Sequence, residues 1–136
     1  MIRKHRVLAA MRPEGVIAAQ RALGEHAEIL PVHSVEAAIK RLRVESGIDV
    51  ILCGIYFGQT RMFDLLRATR RDFPAIPFVC CRIGETDIPG VTLEAIGIAA
   101  RSMGAASFIN LPLMRGTESD AEFRSRVLKN VRARPD

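Results

Sequence analysis

The most constraining feature of the sequence is an apolar run that leads directly into an amphipathic helix. The run, residues 50–55, is short and rich in β-branched side chains, and it predicts a strand buried on both faces. A loop at 56–60 leads into a helix with Met62, Leu65 and Leu66 on one side. A strand, a loop and a helix in this order form half of a βαβ unit. In open α/β sheets, functional groups lie beyond the carboxyl ends of such strands.

The same alternation of apolar runs and helical periodicities continues along the chain. Further strands, each with a helix after it, are predicted at residues 6–11, 28–32, 78–81 and 106–110. Pro31 cannot donate a hydrogen bond to a neighbouring strand, so the second strand is expected at a sheet edge. The alternation predicts a doubly wound α/β fold, (βα)5, with a five-stranded parallel sheet in the middle of three layers. Residues 1–136 are expected to form one domain with its core at about 6–131.

Capping residues predict where several helices begin. Ser34 is a favourable N-cap for the second helix, and Thr92 is expected to cap the fourth helix after a loop at 82–91. Ser119 and Glu122 have the spacing of a capping box. This spacing places the start of the fifth helix near Ser119.

Composition limits the class of protein. Hydrophobic residues make up 49% of the chain and charged residues 26%, so disorder is not expected. The net charge of +5 comes from basic residues dispersed along the chain, and such dispersal does not favour nucleic-acid binding. No apolar run approaches the length of a membrane span, and no signal peptide is visible. Together with the odd number of cysteines, these features predict a cytoplasmic protein without a membrane contact.

Three cysteines lie within predicted strands: Cys53, Cys80 and Cys81. A redox switch or a metal site is one interpretation, and small buried hydrophobic side chains are the other, which free cysteines favour in general. Neighbouring residues of a strand point to opposite faces, so Cys80 and Cys81 are not expected to share a site. Cys81, near a strand end, is expected to be the most reactive. The spacing of the histidines suggests no metal site, and no catalytic residue or cofactor is predicted.

With these elements in place, the chain resembles the receiver domain of two-component response regulators, the CheY-like domains, over residues 6–131. Residues 54–67 are similar to the passage from the third strand into the third helix of a receiver. Residues 76–81 are similar to its fourth strand, and residues 104–112 to its fifth. The resemblance implies strand order 2-1-3-4-5 and a role in signal transduction.

Receivers work through five positions, and this chain keeps none of them. The resemblance places the acidic pair that holds Mg²⁺ on Met11 and Arg12, and the phospho-accepting aspartate on Gly54. It places the hydroxyl residue on Cys81 and the phosphate-contacting lysine on Leu111. A thioether and a guanidinium do not replace the oxygen ligands of Mg²⁺, and glycine offers no carboxylate nucleophile. We therefore predict a pseudo-receiver that has kept the fold and lost the phosphorelay chemistry.

The first functional hypothesis is a non-enzymatic signalling module that acts through protein contacts. In receivers the usual partner surface is formed by the fourth helix, the fifth strand and the fifth helix. The resemblance places Ile98, Arg101, Phe108 and Arg124 at this surface. The partners that it implies are a histidine kinase, an output domain or another regulatory protein, with a symmetric homodimer as a further arrangement.

Two other functional hypotheses stay open. Arg12, Arg61 and Arg82 would form an anion or small-molecule site if they converge at the carboxyl edge of the sheet. Solvated or ion-paired arginines explain the same residues. The other is a phosphorelay receiver with a displaced acceptor, or a regulator associated with DNA, whose DNA binding would weaken strongly with salt.

Two structural expectations also follow from the resemblance. The peptide bond between Leu111 and Pro112 is expected to be cis, because the corresponding bond of receivers is typically held in a tight turn. The loop at 82–91 is several residues longer than in receivers. The fourth helix is therefore expected to be displaced or shortened.

Overall fold

Strands and helices alternate along the chain in the computed structural model, which describes residues 4–55, 61–83, 89–111 and 116–132. The strands of this described part are β1 His5–Ala10, β2 Ala27–Val32, β3 Val50–Gly54, β4 Phe78–Ile83 and β5 Ser107–Leu111. Its helices are α1 Pro13–Leu23, α2 Val35–Val44, α3 Arg61–Asp72, α4 Gly90–Ser102 and α5 Gly116–Leu128.

The five strands form one parallel sheet in the order β2-β1-β3-β4-β5, which confirms the predicted (βα)5 fold. β3 lies at the centre, where Val50 is the register partner of Val7 and Gly54 that of Cys81. β2 lies at an edge, as the proline within it predicted. The carboxyl ends of β1, β3, β4 and β5 therefore meet along one edge of the sheet.

Two apolar clusters hold the helices on the sheet, one on each face. Alternate residues of β3 enter different clusters: Ile51 belongs to the cluster beneath α2, α3 and α4, and Leu52 to the cluster beneath α1 and α5. Both side chains are 0% exposed. The central strand is therefore buried on both faces, as its continuous apolar run predicted.

Two of the three predicted caps are wrong. Ser34 does cap α2, where its Oγ accepts a hydrogen bond from the Ala37 N–H at 3.0 Å. Thr92 does not cap α4, because that helix already begins at Gly90 and the Thr92 N–H donates to the Pro89 carbonyl. α5 begins at Gly116, so Ser119 lies within the helix. A serine and a glutamate three residues apart are also neighbours on a helix surface, and their spacing alone does not mark a helix start.

Strand boundaries differ from prediction mainly in β4. β1 lies one residue earlier and β5 one residue later than expected, and β3 ends at Gly54. β4 continues two residues further, because Arg82 and Ile83 pair with Asn110 and Leu111 of β5.

The predicted loop at 82–91 therefore begins two residues later than expected. α4 spans 13 residues, and its displacement or shortening relative to receivers stays a prediction. The Leu111–Pro112 bond lies outside the described residues.

A buried carboxylate ties the amino edge of the sheet together. Asp49, just before β3, is 0% exposed and accepts a hydrogen bond from the Arg6 N–H at 2.8 Å. Its own N–H donates to the Arg6 carbonyl at 2.9 Å, and its carbonyl accepts from the Arg132 N–H at 3.0 Å. These bonds join β1, the start of β3 and the segment after α5. The bond from the Arg6 N–H gives the carboxylate a donor and offsets part of the cost of its burial.

α4 packs very closely on β5 at one point. Gly97 faces the ring of Phe108, and a Cβ on Gly97 would collide with Cδ2 and lie 3.1 Å from Cε2 of that ring. Phe108 is 8% exposed. The absence of a side chain at Gly97 therefore lets the helix lie against the aromatic ring.

We expect Gly97→Ala to destabilise the fold by about 1–3 kcal/mol, because the added methyl group overpacks the contact with Phe108. Gly90→Ala is the matched control, since a Cβ there has no neighbour within 4 Å. The control should leave stability unchanged or raise it by up to about 1 kcal/mol through helix propensity. Urea denaturation of both variants measures the difference. Equal stabilities would mean that α4 shifts freely over β5.

Candidate functional site

Three of the five receiver positions come together at the carboxyl edge of the sheet. Gly54 ends β3, and its register partner on β4 is Cys81. The Ile55 N–H donates to the Cys81 carbonyl at 3.1 Å. Met11, directly after β1, lies on the other side of Gly54. Leu111 ends β5 at the same edge, but its side chain lies outside the described residues.

Met11 fills the space in front of Gly54. Its side chain is 3% exposed, and its Cβ and Cγ would each lie 3.9 Å from a Cβ on Gly54. At its other end, the methyl group would lie only 2.8 Å from a Cβ on Gly15, in α1. His33 helps to hold this residue, since its Nδ1 lies 2.9 Å from the Met11 carbonyl oxygen and donates to it when protonated. The space beside Gly54 is therefore apolar and occupied.

The described residues at this edge do not fit the Mg²⁺ ion that the receiver fold implies. Met11 belongs to the apolar cluster beneath α1 and α5. Arg12 carries a positive charge, and its Nε lies 3.5 Å from Oε2 of Glu14, with both side chains 55% exposed. Within the described ranges, no group of three His, Cys, Asp or Glu side chains is placed to hold a metal ion. Hard oxygen ligands are what Mg²⁺ requires.

The cysteines lie on opposite faces of the sheet, as predicted. Cys53 and Cys80 are register partners within the cluster beneath α2, α3 and α4, whereas Cys81 belongs to the other cluster. All three are buried, and Cys81, expected to be the most reactive, is 1% exposed. Burial raises the pKa of Cys80 to about 12. Burial, with smaller contributions from the Cys80 and Cys81 sulfurs, raises the pKa of Cys53 well above its ordinary value.

The structure describes the side chains of two of the three arginines that were expected to converge, Arg12 and Arg82. Arg12 is the N-cap residue of α1, which covers one face. Arg82 alternates with Cys81 along β4 and therefore projects towards the opposite face, where it is 8% exposed. Its Nη1 donates to Oδ1 of Asn110 on β5 at 3.5 Å. The side chain of Arg61 lies outside the described residues, and a shared anion site remains a prediction.

The expected partner surface divides into exposed and buried residues. Ile98 is 58% exposed and Arg101 is also exposed, both on α4. Phe108 is buried beneath α4, so it does not present its ring to a partner. Arg124 of α5 donates to the carbonyl of Ala22 in α1 at 3.1 Å, which turns it away from α4. A partner role for these four residues stays a prediction.

Two features of this edge were missed by sequence reasoning. Gly15 gives Met11 room at the start of α1, and Arg82 belongs to a strand rather than to a loop. Gly15 offers no sequence signal, because its role depends on a contact between the end of one element and the next helix. Arg82 directly continues the apolar run that ends with Cys80 and Cys81, and this continuity was a usable signal for the second feature.

We expect Gly54→Ala to change stability by less than about 1 kcal/mol, since a Cβ at 3.9 Å from Met11 makes an ordinary contact. Gly54→Asp should cost about 1–3 kcal/mol, because it would place a carboxylate beside the apolar Cβ and Cγ of Met11. Denaturation of the two variants in parallel isolates the effect of the charge. Equal stabilities would mean that water enters the space beside Met11.

We expect the thiols to react with a thiol reagent only as the protein unfolds. The pKa of Cys80 is about 12 in the folded protein and 9.0 ordinarily, so the folded state holds this proton more tightly. Stability is therefore fully present below pH 9 and falls between pH 9 and 12, by about 1.4 kcal/mol for each unit of pH per thiol. Free energies of unfolding across this range measure the slope. Cys80→Ala should reduce it, and an unchanged slope would contradict the assignment.

None of the described helices is long and apolar enough to cross a membrane.

Comparison with known proteins relates the chain to receiver domains by structure. No protein-family model matches the sequence, and no curated protein matches it significantly. A response regulator from Thermotoga maritima superposes with a TM-score of 0.72 at 20% identity, over 93% of this chain and 97% of that one. A CheY-like receiver domain protein from Methanospirillum hungatei gives a TM-score of 0.69 at 12% identity, over 93% of both chains.

A longer protein contains the same fold as one part of its chain. NtrX from Brucella abortus matches with a TM-score of 0.70 at 17% identity, over 93% of this chain but only 27% of its own. Identities of this size establish the fold alone. The chain therefore has the five-stranded fold of response-regulator receiver domains.

Proposed function

We propose that this protein is a non-enzymatic signal-transduction module, a pseudo-receiver that acts through protein contacts without phosphorylation. The observation that carries the proposal is the pairing of Gly54 with Met11. The residue at the acceptor position has no side chain, and an apolar side chain fills the space in front of it.

Phosphorylation of a receiver requires two chemical groups at this edge. One is a carboxylate nucleophile, which forms the acyl phosphate. The other is a set of oxygen ligands for Mg²⁺, which neutralises the charge of the transferred group. Here a phosphoryl group would lie beside the apolar Cβ and Cγ of Met11 and next to Cys81, a buried thiol that is the register partner of Gly54. Gly54, Met11 and Arg12 supply neither of the two required groups, which argues against a phosphorelay role for this chain.

A module without this chemistry must receive its signal through binding. The partner that we propose is another protein: a histidine kinase, an output domain or a further regulatory protein. The match to one part of the longer NtrX chain supports an output domain, because it places the same fold beside other segments. The exposed side of α4, with Ile98 and Arg101, is the surface that we propose for the contact. We propose a cytoplasmic location for this signalling.

A second candidate is an anion sensor, and one observation favours it. Arg82 is a buried arginine close to the carboxyl edge of the sheet, beside Asn110. Guanidinium groups bind anions through a planar set of N–H donors. The DNA-associated hypothesis has no comparable observation, and exposed Arg21 and Arg71 already pair with carboxylates.

We expect amide NMR spectra to stay unchanged when Mg²⁺ and beryllofluoride are added together. Beryllofluoride mimics a phosphoryl group on a carboxylate, and Gly54 offers no carboxylate to hold it. Mg²⁺ alone and fluoride alone serve as controls for non-specific ion effects.

Shifts around Gly54, Cys81 and Phe108 that require both reagents would overturn the pseudo-receiver proposal. Shifts centred on Arg82 and Asn110 that also appear with phosphate alone, together with a rise in Tm, would favour the anion sensor. The same spectra therefore separate the two candidate functions.

A further inference from the structure

The outward sides of α2 and α3 carry charges in the same order. From the amino end of each helix, an exposed acid is followed by two exposed bases: Glu36, Lys40 and Arg43 in α2, and Asp64, Arg67 and Arg71 in α3. Residues three or four positions apart are neighbours on a helix surface, so each set lies on one side of its helix. We call these six residues the α2–α3 charge set.

The two helices lie side by side and run in the same direction. Each follows a strand of the parallel sheet, each packs on the same apolar cluster, and the two contact each other. Both therefore begin at the carboxyl edge of the sheet and end at the amino edge. Seven residues of α-helix span about 10 Å. The acids of the charge set thus lie towards the carboxyl edge, and the last bases lie about 10 Å away from them, towards the amino edge.

The basic ends of the two helices come close to each other. Nε of Arg71 donates to Oδ1 of Asp72 at 3.0 Å, and its Nη2 donates to Oδ2 at 3.2 Å. The hydrogen bonds from Arg71, and then the positive charges of Arg71 and of Arg43, lower the pKa of Asp72. Arg43 of α2 therefore lies near enough to act on a carboxylate of α3. One carboxylate stands beside two arginines, so this end of the helix pair stays positive.

The bases of the charge set are poorly neutralised within the described part of the chain. There, Lys40 and Arg43 form no ion pair, and the Arg67 Nη1 lies 3.7 Å from Oδ1 of Asp64, with both side chains more than half exposed. Bases in the last turn of a helix complement its dipole. That effect does not account for Lys40 and Arg67, which lie near the middle of their helices. These charges are available to a partner.

We propose that the outward side of α2 and α3 binds a helix of a partner protein that runs antiparallel to them, with acidic residues in its amino-terminal half and basic residues in its carboxyl-terminal half. The acidic half faces the four bases of the charge set, and the basic half faces its two acids. Helices favour this order of charges, because it complements their own dipole. The inference rests on the proposed function, since it states the chemistry of a protein partner, and it adds a surface separate from α4.

The mixed signs of this surface favour a protein over a nucleic acid. Glu36, Asp64 and Asp72 would repel the continuous negative charge of a phosphate backbone, whereas a protein can place each of its charges separately. Val44, four residues after Lys40, is 69% exposed on the same side of α2. An apolar side chain beside the bases offers a contact that a protein can use and a phosphate cannot.

The contact is small, so the association should be weak. α2 has 10 residues and α3 has 12, which makes them about 15 and 18 Å long. A single helix laid on this pair buries less than the roughly 1,200 Å² of standard interfaces, and contacts of this size are typical of transient association. Low ionic strength should strengthen the binding, because exposed charges are screened by salt.

Two synthetic peptides of equal composition test the order of the charges. Both are alanine-based helices with equal numbers of glutamates and lysines. The first has its glutamates in the amino-terminal half and its lysines in the other half, whereas the second has the two residue types evenly mixed. Amide NMR at about 10 mM salt, where the Debye length is about 30 Å, measures binding up to about 1 mM peptide. We expect the first peptide to shift the amides of α2 and α3 and to bind about fivefold more tightly than the second.

A nitroxide spin label at the amino end of the first peptide tests its direction. It should broaden the amide signals of Arg43 and Arg71, at the amino edge of the sheet, and leave those of Glu36 and Asp64 sharp. Broadening at Glu36 and Asp64 instead would place the acidic half of the peptide against the acids of the charge set. That result would overturn the proposed geometry.

Charge reversal in the protein gives a matched pair of variants. Arg43→Glu combined with Arg71→Glu should weaken binding of the first peptide by about tenfold or more, because it reverses the charge at the basic ends. Arg126→Glu combined with Lys129→Glu is the control, since it changes the net charge equally at the end of α5 and beyond it. The control should leave binding within about twofold of the unchanged protein. Circular dichroism and Tm of both variants exclude unfolding as the cause.

Three further results would overturn the proposal: no shift of α2 and α3 amides up to about 1 mM peptide, equal binding of the two peptides, or binding that the double variant at the basic ends leaves intact. A DNA duplex that shifts the same amides more strongly than the first peptide would also overturn it and assign the surface to nucleic acid. Each result leaves the pseudo-receiver function in place, because the beryllofluoride experiment examines the carboxyl edge beside Gly54. Failure of that experiment would in turn leave the peptide binding unchanged.

Discussion

The structure depends on the burial of β3 from both sides. Residues 50–53 are 0% exposed, and their side chains enter the two apolar clusters alternately. Each fully buried aliphatic side chain of this kind contributes about 1.5–3 kcal/mol. β1 and β4 flank β3 in parallel register, so its backbone groups pair on both sides. This placement brings Gly54 to the middle of the carboxyl edge, between Met11 and Cys81.

The residues beside the central strand differ between the two edges of the sheet. The carboxyl edge, where functional groups normally lie, carries a packed thioether and a buried thiol beside Gly54. The amino edge carries the buried carboxylate of Asp49, whose hydrogen bonds join β1 to the start of β3. This buried carboxylate thus supports the fold at the amino edge.

α4 contacts the core on its inner side and the solvent on its outer side. Its inner side rests on Phe108 through Gly97, without room for a further methyl group. Its outer side presents Ile98 to the solvent. Because the inner contact is so close, a partner that moves α4 must also move the aromatic ring or the strand beneath it. Binding of a partner to α4 would therefore also shift Phe108 or β5. Such a shift could carry a signal without phosphorylation, as we propose for this protein.

The sequence by itself determined the class of fold, a five-stranded parallel sheet with alternating helices. Three local patterns predicted burial and strand position, and each prediction is confirmed. They are the continuous apolar run of β3, the helical periodicities and the edge proline of β2. The helix starts at Gly90 and Gly116 were not predicted, because neither helix begins at a strong side-chain cap signal. Only the tertiary structure decided that Met11 packs beside Gly54, that Phe108 is covered by α4, and that Arg82 belongs to β4 and contacts Asn110. Those outcomes depend on contacts between elements distant in sequence, and no local pattern specifies which side chain occupies a shared space.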